Sequence, residues 1–196
     1  MEGLLLASDN LIEYSVKAIQ EWVGPDLAQL NDFEKLFQLV SHSDTRIQHA
    51  ALFALKQKLH DREYQESLEK AEVVPIIRSL SESEPDNAEA ISFVAVALRS
   101  LGPTLARHGH VDEILFYLTH AEPSIQDGAF AAIQAIAKSS ENERQCLLNA
   151  GVLERLIGGH ELLHPIQLQL TSTIIPLLAF DYARTKKVAF ILTLVE

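Results

Sequence analysis

The sequence predicts an all-α solenoid of about four degenerate repeats. Three observations lead there: segments that rhyme at intervals near 40 residues, apolar positions at helical spacing, and helix breakers between the segments. The rhyme is plainest in RIQHAALFALKQKL from Arg46, SIQDGAFAAIQAIA from Ser124 and PIQLQLTSTIIPLL from Pro165. Ile47, Ala51, Leu52, Leu55 and Leu59 share one helical face, and Ile125, Ala129, Ile133 and Ile136 share another. A fourth copy, PDNAEAISFVAVALRSLG from Pro85, lacks Ile-Gln but sets Ile91, Val94, Leu98 and Leu101 on one side. Sustained period-two alternation and Asn-Gly hairpin turns are lacking, so strands are not expected.

Taken in order, residues 1–31 read as an N-terminal helical cap. Trp22, just before Gly24–Pro25, is expected to pack at the end of the array. Residues 32–196 read as repeats, approximately 45–84, 85–122, 123–164 and 165–196. Within each, a short helix is followed by a second one opening near a valine (Val73, Val111, Val152), and a longer third helix begins the next block. Pro85, Gly102–Pro103, Pro123, Gly158–Gly159 and Pro165 supply the expected breaks. One such unit cannot bury its own apolar face, so neighbours stack and share a core.

Composition narrows the function classes. A net charge of −11 disfavours nucleic acid, whose binding needs clustered Lys and Arg. The acid is densest between Asp61 and Glu89, as a solvated face or a surface that steers basic partners. No stretch approaches the roughly 18 apolar residues of a membrane span, and acidic Glu2 argues against a signal peptide. The single cysteine, Cys146, excludes an internal disulfide framework and reads as a buried structural thiol. It points to a reducing compartment, the cytoplasm or the nucleus. The apolar ending VAFILTLVE resembles a second helix without its third, which suggests truncation, self-association through that end, or a degenerate cap.

NERQCLLNAGVLERLI, followed by IQLQLTSTIIPLL, resembles the armadillo repeat, with Asn149–Ala150–Gly151–Val152 as its Ala-Gly-Val turn. The resemblance covers residues 32–196, with HEAT repeats as near neighbours. It implies a right-handed superhelix whose third helices line a groove for an extended peptide or a partner protein, basic ones included. Exposed third-helix positions are then the candidate partner-binding residues: Gln48, Phe53, Gln57, Val96, Ser100, Gln126, Gln134 and Gln167. Nuclear-import adaptors of this kind carry a Trp and an Asn four residues apart on successive third helices. The matching positions here are Phe53/Gln57, Val96/Ser100, Ala131/Ala135 and Ser172/Pro176, so no copy keeps the pair. The resemblance implies a non-catalytic scaffold. The alternative within the binders is a chaperone cofactor of the Hsp70 nucleotide-exchange type, clamping a folded partner.

HELLH (His160–His164) matches the H-E-x-x-H pattern of zinc hydrolases, a reading that requires one continuous helix beneath both imidazoles. Gly158–Gly159 precede it, Pro165 follows it and biases His164 out of helical geometry, and His164 is the last histidine. The stretch reads as an inter-repeat junction, with His160 and His164 not stacked on one helical face. His108-Gly109-His110, with His120 nearby, reads as a surface turn, or alternatively a weak metal or pH-sensitive contact. Ser81 and Ser83 in SLSESEPD suit an acid-directed kinase. Catalytic residues, metal ligands and cofactors are not expected.

Overall fold

The structure, a computed structural model, describes residues 2–30, 32–82, 87–152 and 155, and beyond them 172, 174, 176, 178, 179, 181 and 183; of residues 2–9 and 28 it describes the backbone only. Every regular element among the described residues is helical. In chain order these are α1 (Glu2–Ala18), a π-helical segment Ile19–Val23, α2 (Gly24–Gln29), α3 (Phe33–Val40), α4 (Thr45–Lys58), α5 (Arg62–Lys70) and α6 (Val73–Ser81). They continue with α7 (Ala88–Arg107), α8 (Val111–Phe116), a 3-10 turn Tyr117–Thr119, α9 (Pro123–Ala137) and α10 (Glu141–Asn149). The chain divides into two compact units, 1–97 and 98–196, and the division falls inside α7.

Local chemistry places the helix starts. Asp44 Oδ1 accepts from Arg46 N–H at 2.9 Å and Asp61 Oδ1 from Glu63 N–H at 2.9 Å, so each satisfies a donor that its helix cannot. Ser140 and Glu143 form a reciprocal capping box at α10. Pro123 stands at the start of α9, where its missing N–H has no intrahelical partner to lose.

The first unit buries Phe33, Leu36, Ala51, Leu52, Leu55, Leu68, Ile77 and Phe93. Helix α4 is its centre, with α1, α2 and α3 packed against it. Phe33 meets Tyr64 edge-on at 5.1 Å. Burial pushes the Tyr64 phenol far up, and among the described residues its hydroxyl has no hydrogen-bond partner. In the second unit α9 packs against α8, the 3-10 turn and α10, burying Ile114, Tyr117, Ile125, Ala129, Phe130, Ile133, Ile136 and Leu147. The periodic faces read from the sequence are these cores, with Ile47 and Ile91 half-buried at their margins.

Three expectations need correcting. Trp22 is 52% exposed rather than packed. The π segment turns it outward while Ile19 is buried, and the broken α-ladder lets the chain pass helically through Gly24–Pro25. Gly102–Pro103 does not end a helix either, because α7 runs through both residues. Gly102 lies against Ala132 so closely that a Cβ there would sit 2.8 Å from the alanine Cβ. Helix α7 also meets the length and composition of a membrane span, against the expectation that no stretch approaches one. Its apolar window is 56% buried inside the protein, as a core helix of a repeat stack would be.

Candidate functional site

The third helices α4 and α9 open with one device. An acidic N-cap (Asp44, Glu122) is preceded two residues earlier by a histidine whose Nδ1 accepts the N-cap N–H, at 3.0 Å for both His42 and His120. At the fourth residue of each helix, a glutamine reaches back to the carbonyl of that histidine. Gln48 Nε2 donates to His42 O at 2.7 Å, and Gln126 Nε2 to His120 O at 2.6 Å. Gln65 in α5 does the same to Leu59 O at 2.6 Å. The recurrent Ile-Gln is thus a loop clasp: the isoleucine faces the core and the amide holds the preceding turn. Helix α7 starts differently, with Asn87 Oδ1 accepting from Ala90 N–H at 3.1 Å and lying 3.1 Å from His49 Nε2.

Past the clasp, α4 presents a solvent-facing stripe. Phe53 is 41% exposed and Gln57, one turn on, is exposed. His49 and Lys56 flank them, half-buried. Lys56 Nζ lies 3.2 Å from both Glu89 Oε2 and Ser92 Oγ, which joins α4 to the start of α7. Val96, also in the first unit, is half-buried; so are Ser100 and Gln134 in the second. The structure therefore opens Phe53 and Gln57 to solvent and commits the amides of Gln48 and Gln126 to loop carbonyls. Gln167 lies outside the described residues.

A shallow cleft of about 260 Å³ lies at the helix ends of the first unit, lined by Val40, Ser41, Gln48, Ile76, Ser79, Leu80 and Asn87. Among the described residues its walls hold no ionisable group, so they offer packing space and hydrogen bonds rather than acid–base chemistry.

Charge is ordered separately in the second unit. Arg107 Nη1 donates to Glu143 Oε1 at 2.8 Å, and Arg144 Nε to Asp181 Oδ2 at 2.5 Å. Burial pushes the Glu143 carboxyl up, but hydrogen bonds from Ser140, Ser139 and Arg107 outweigh it and hold the group at about 2. These are ties between helices. Among the described residues no three His, Cys, Asp or Glu side chains gather as a metal cluster would. His108 is exposed and His110 half-buried around Gly109, as a surface turn requires. Cys146 is half-buried rather than buried. Ser81 closes α6 with its hydroxyl donating to Arg78 O at 2.8 Å. HELLH, Ser83 and the VAFILTLVE ending lie outside the described residues.

Sequence reasoning missed the cationic character of this α4 stripe. The signal was present: TRIQHAALFALKQK contains three bases and no acid, in a chain with 27 acids and 16 Lys or Arg.

No family model and no curated protein matches the sequence. Solved structures do match. A designed armadillo repeat protein in complex with the peptide (KR)4 is 16% identical with a TM-score of 0.61, over 89% of this chain and 84% of that one. A second designed armadillo repeat protein is 16% identical with a TM-score of 0.60, over 85% and 73%. An engineered protein is 19% identical with a TM-score of 0.57 over 74% of this chain, which spans only 62% of that protein's length. At such identities the likeness speaks to fold. The chain is an all-α solenoid with the fold of the armadillo repeat proteins.

Proposed function

We propose that this protein is a non-catalytic interaction scaffold that takes an extended peptide, or an extended segment of a partner protein, along the exposed stripe of its third helices. The observation that carries the reading is Phe53: a large aromatic 41% exposed on α4, one turn before exposed Gln57, on a fold that in one designed protein is in complex with a peptide. An exposed aromatic beside an amide can stack on a peptide plane and hydrogen-bond its backbone, the pairing expected of an interface anchor. Val96 on α7 belongs to the same unit, and Ser100 and Gln134 are third-helix positions of the second. Gln48 and Gln126 are supports in this reading, because their amides already serve the loops.

A peptide array probed with the wild-type protein and with Phe53→Ala/Gln57→Ala tests it. Binding should drop about five-fold or more on the double substitution, as an anchor worth more than about 1 kcal/mol implies. Glu63→Gln/Glu82→Gln, away from the stripe, should leave it unchanged. The opposite pattern places the binding face on the first and second helices instead.

A further inference from the structure

The net charge invites the expectation of a basic partner, but α4 itself carries no acid, and the two acids beside it, Asp44 and Glu89, are each paired with one of its bases, Arg46 and Lys56. Helices α4, α7 and α9 carry five bases (Arg46, Lys56, Lys58, Arg99, Arg107) and two acids (Glu89, Asp127). The rest of the chain therefore holds 25 of its 27 acids and 11 of its 16 Lys and Arg. Within the first unit the contrast is sharpest on α4. Its stripe runs through exposed Arg46, Phe53 and Gln57 with half-buried His49 and Lys56 beside them, and its third base, Lys58, lies just beyond in the same last turn. The helix macrodipole accounts for bases in that last turn. It does not account for the lack of any acid over the remaining turns of a helix in so acidic a chain. Lys56 is held by Glu89; the lysine side chain is 25% exposed and the glutamate 44%, so Glu89 can swing into solvent and yield Lys56 Nζ to a competing carboxylate.

From this placement we infer that the third-helix stripe of α4 binds an acidic extended segment, with Lys56 as its cationic contact, Phe53 as its aromatic platform and Glu89 as the internal anion that the segment displaces. The inference rests on the scaffold reading above and gives its partner a chemistry. The surrounding acid then acts as a selector: it repels an acidic chain everywhere except at the stripe, which fixes where such a chain settles.

The test is fluorescence anisotropy with labelled (DE)4 and (KR)4 peptides at about 0.15 M ionic strength, where the field of distant acids is screened. The (DE)4 peptide should bind the wild-type protein at least about ten-fold more tightly than (KR)4, and should weaken with added salt. Lys56→Gln should weaken (DE)4 about two- to five-fold, the range of an exposed ion pair. Glu89→Gln should strengthen it by a similar factor, a gain that damage to the fold would not mimic. Preference for (KR)4, no binding of (DE)4, or a (DE)4 affinity unmoved by Glu89→Gln overturns the inference. A neutral array peptide that still loses binding on Phe53→Ala/Gln57→Ala would preserve the scaffold reading while removing its acidic partner.

Discussion

Gln48, Gln65 and Gln126 look like exposed polar residues in a helical register, yet each spends its amide on the carbonyl of a residue six positions back. Gln126→Ala leaves His120 O without that donor and should cost about 0.5–1.5 kcal/mol in urea unfolding, while affinity for any stripe-bound peptide stays the same. The turns that lead into the second helices share a positive φ, at Glu72 (60°), Gly109 (86°) and Gly151 (70°). Glycine adopts this region without a steric penalty, whereas glutamate does not. Glu72→Gly should therefore raise the unfolding free energy by about 0.5–1 kcal/mol once the added freedom of the unfolded chain is counted, seen as a higher urea midpoint. Glu143 couples folding to acid. Its native value of about 2 lies below its ordinary 4.5, so its stabilisation is complete above pH 4.5 and is lost as pH falls toward 2. Glu143→Gln should flatten the stability profile within that window, followed by circular dichroism at a series of pH values.

At the scale of elements, Gly102 marks a close approach of α7 to α9. A Cβ at residue 102 would meet the Ala132 Cβ at 2.8 Å and its Cα at 2.9 Å, and backbone cannot give way as a long side chain can. Gly102→Ala should cost about 1–3 kcal/mol by overpacking. Ala132→Gly in the same chain should recover only part of this, because the backbone of residue 132 still stands in the way; a thermal melt of both variants reads it. Much of the helical layout was legible in advance. The apolar spacing of Ile125, Ala129, Ile133 and Ile136 names a buried face, and Val73 and Val111 open α6 and α8 where the rhyme puts them. What escaped has a physical reason in each case. Gly102–Pro103 reads as a break because local propensity disfavours both residues in a helix, whereas packing on Ala132 overrides it. Trp22 reads as buried because aromatics usually are, and the rotation introduced by a π turn has no period in the sequence. The candidate surface was legible through exposure at Phe53 and Gln57. The fate of Gln48 and Gln126 was not, since it depends on a loop carbonyl that no helical period marks.

At the scale of the whole molecule, the armadillo-like fold supplies repeated third helices, and α4 and α7 carry a charge opposite to that of the chain. Acid elsewhere in the sequence gives the rest of the chain a net negative charge. Bases gathered on these helices leave one kind of surface open to a different partner. If ligands lie on the third-helix stripe, backbone amide chemical shifts should show it, with ¹⁵N-labelled protein titrated with the tightest peptide from the array. The expected result is shifts concentrated on α4 around His49, Phe53, Lys56 and Gln57 and at Glu89–Ser92 of α7. Shifts centred instead on Glu63–Lys70 of α5 and on α6, with the α4 stripe unmoved, would contradict binding at the stripe.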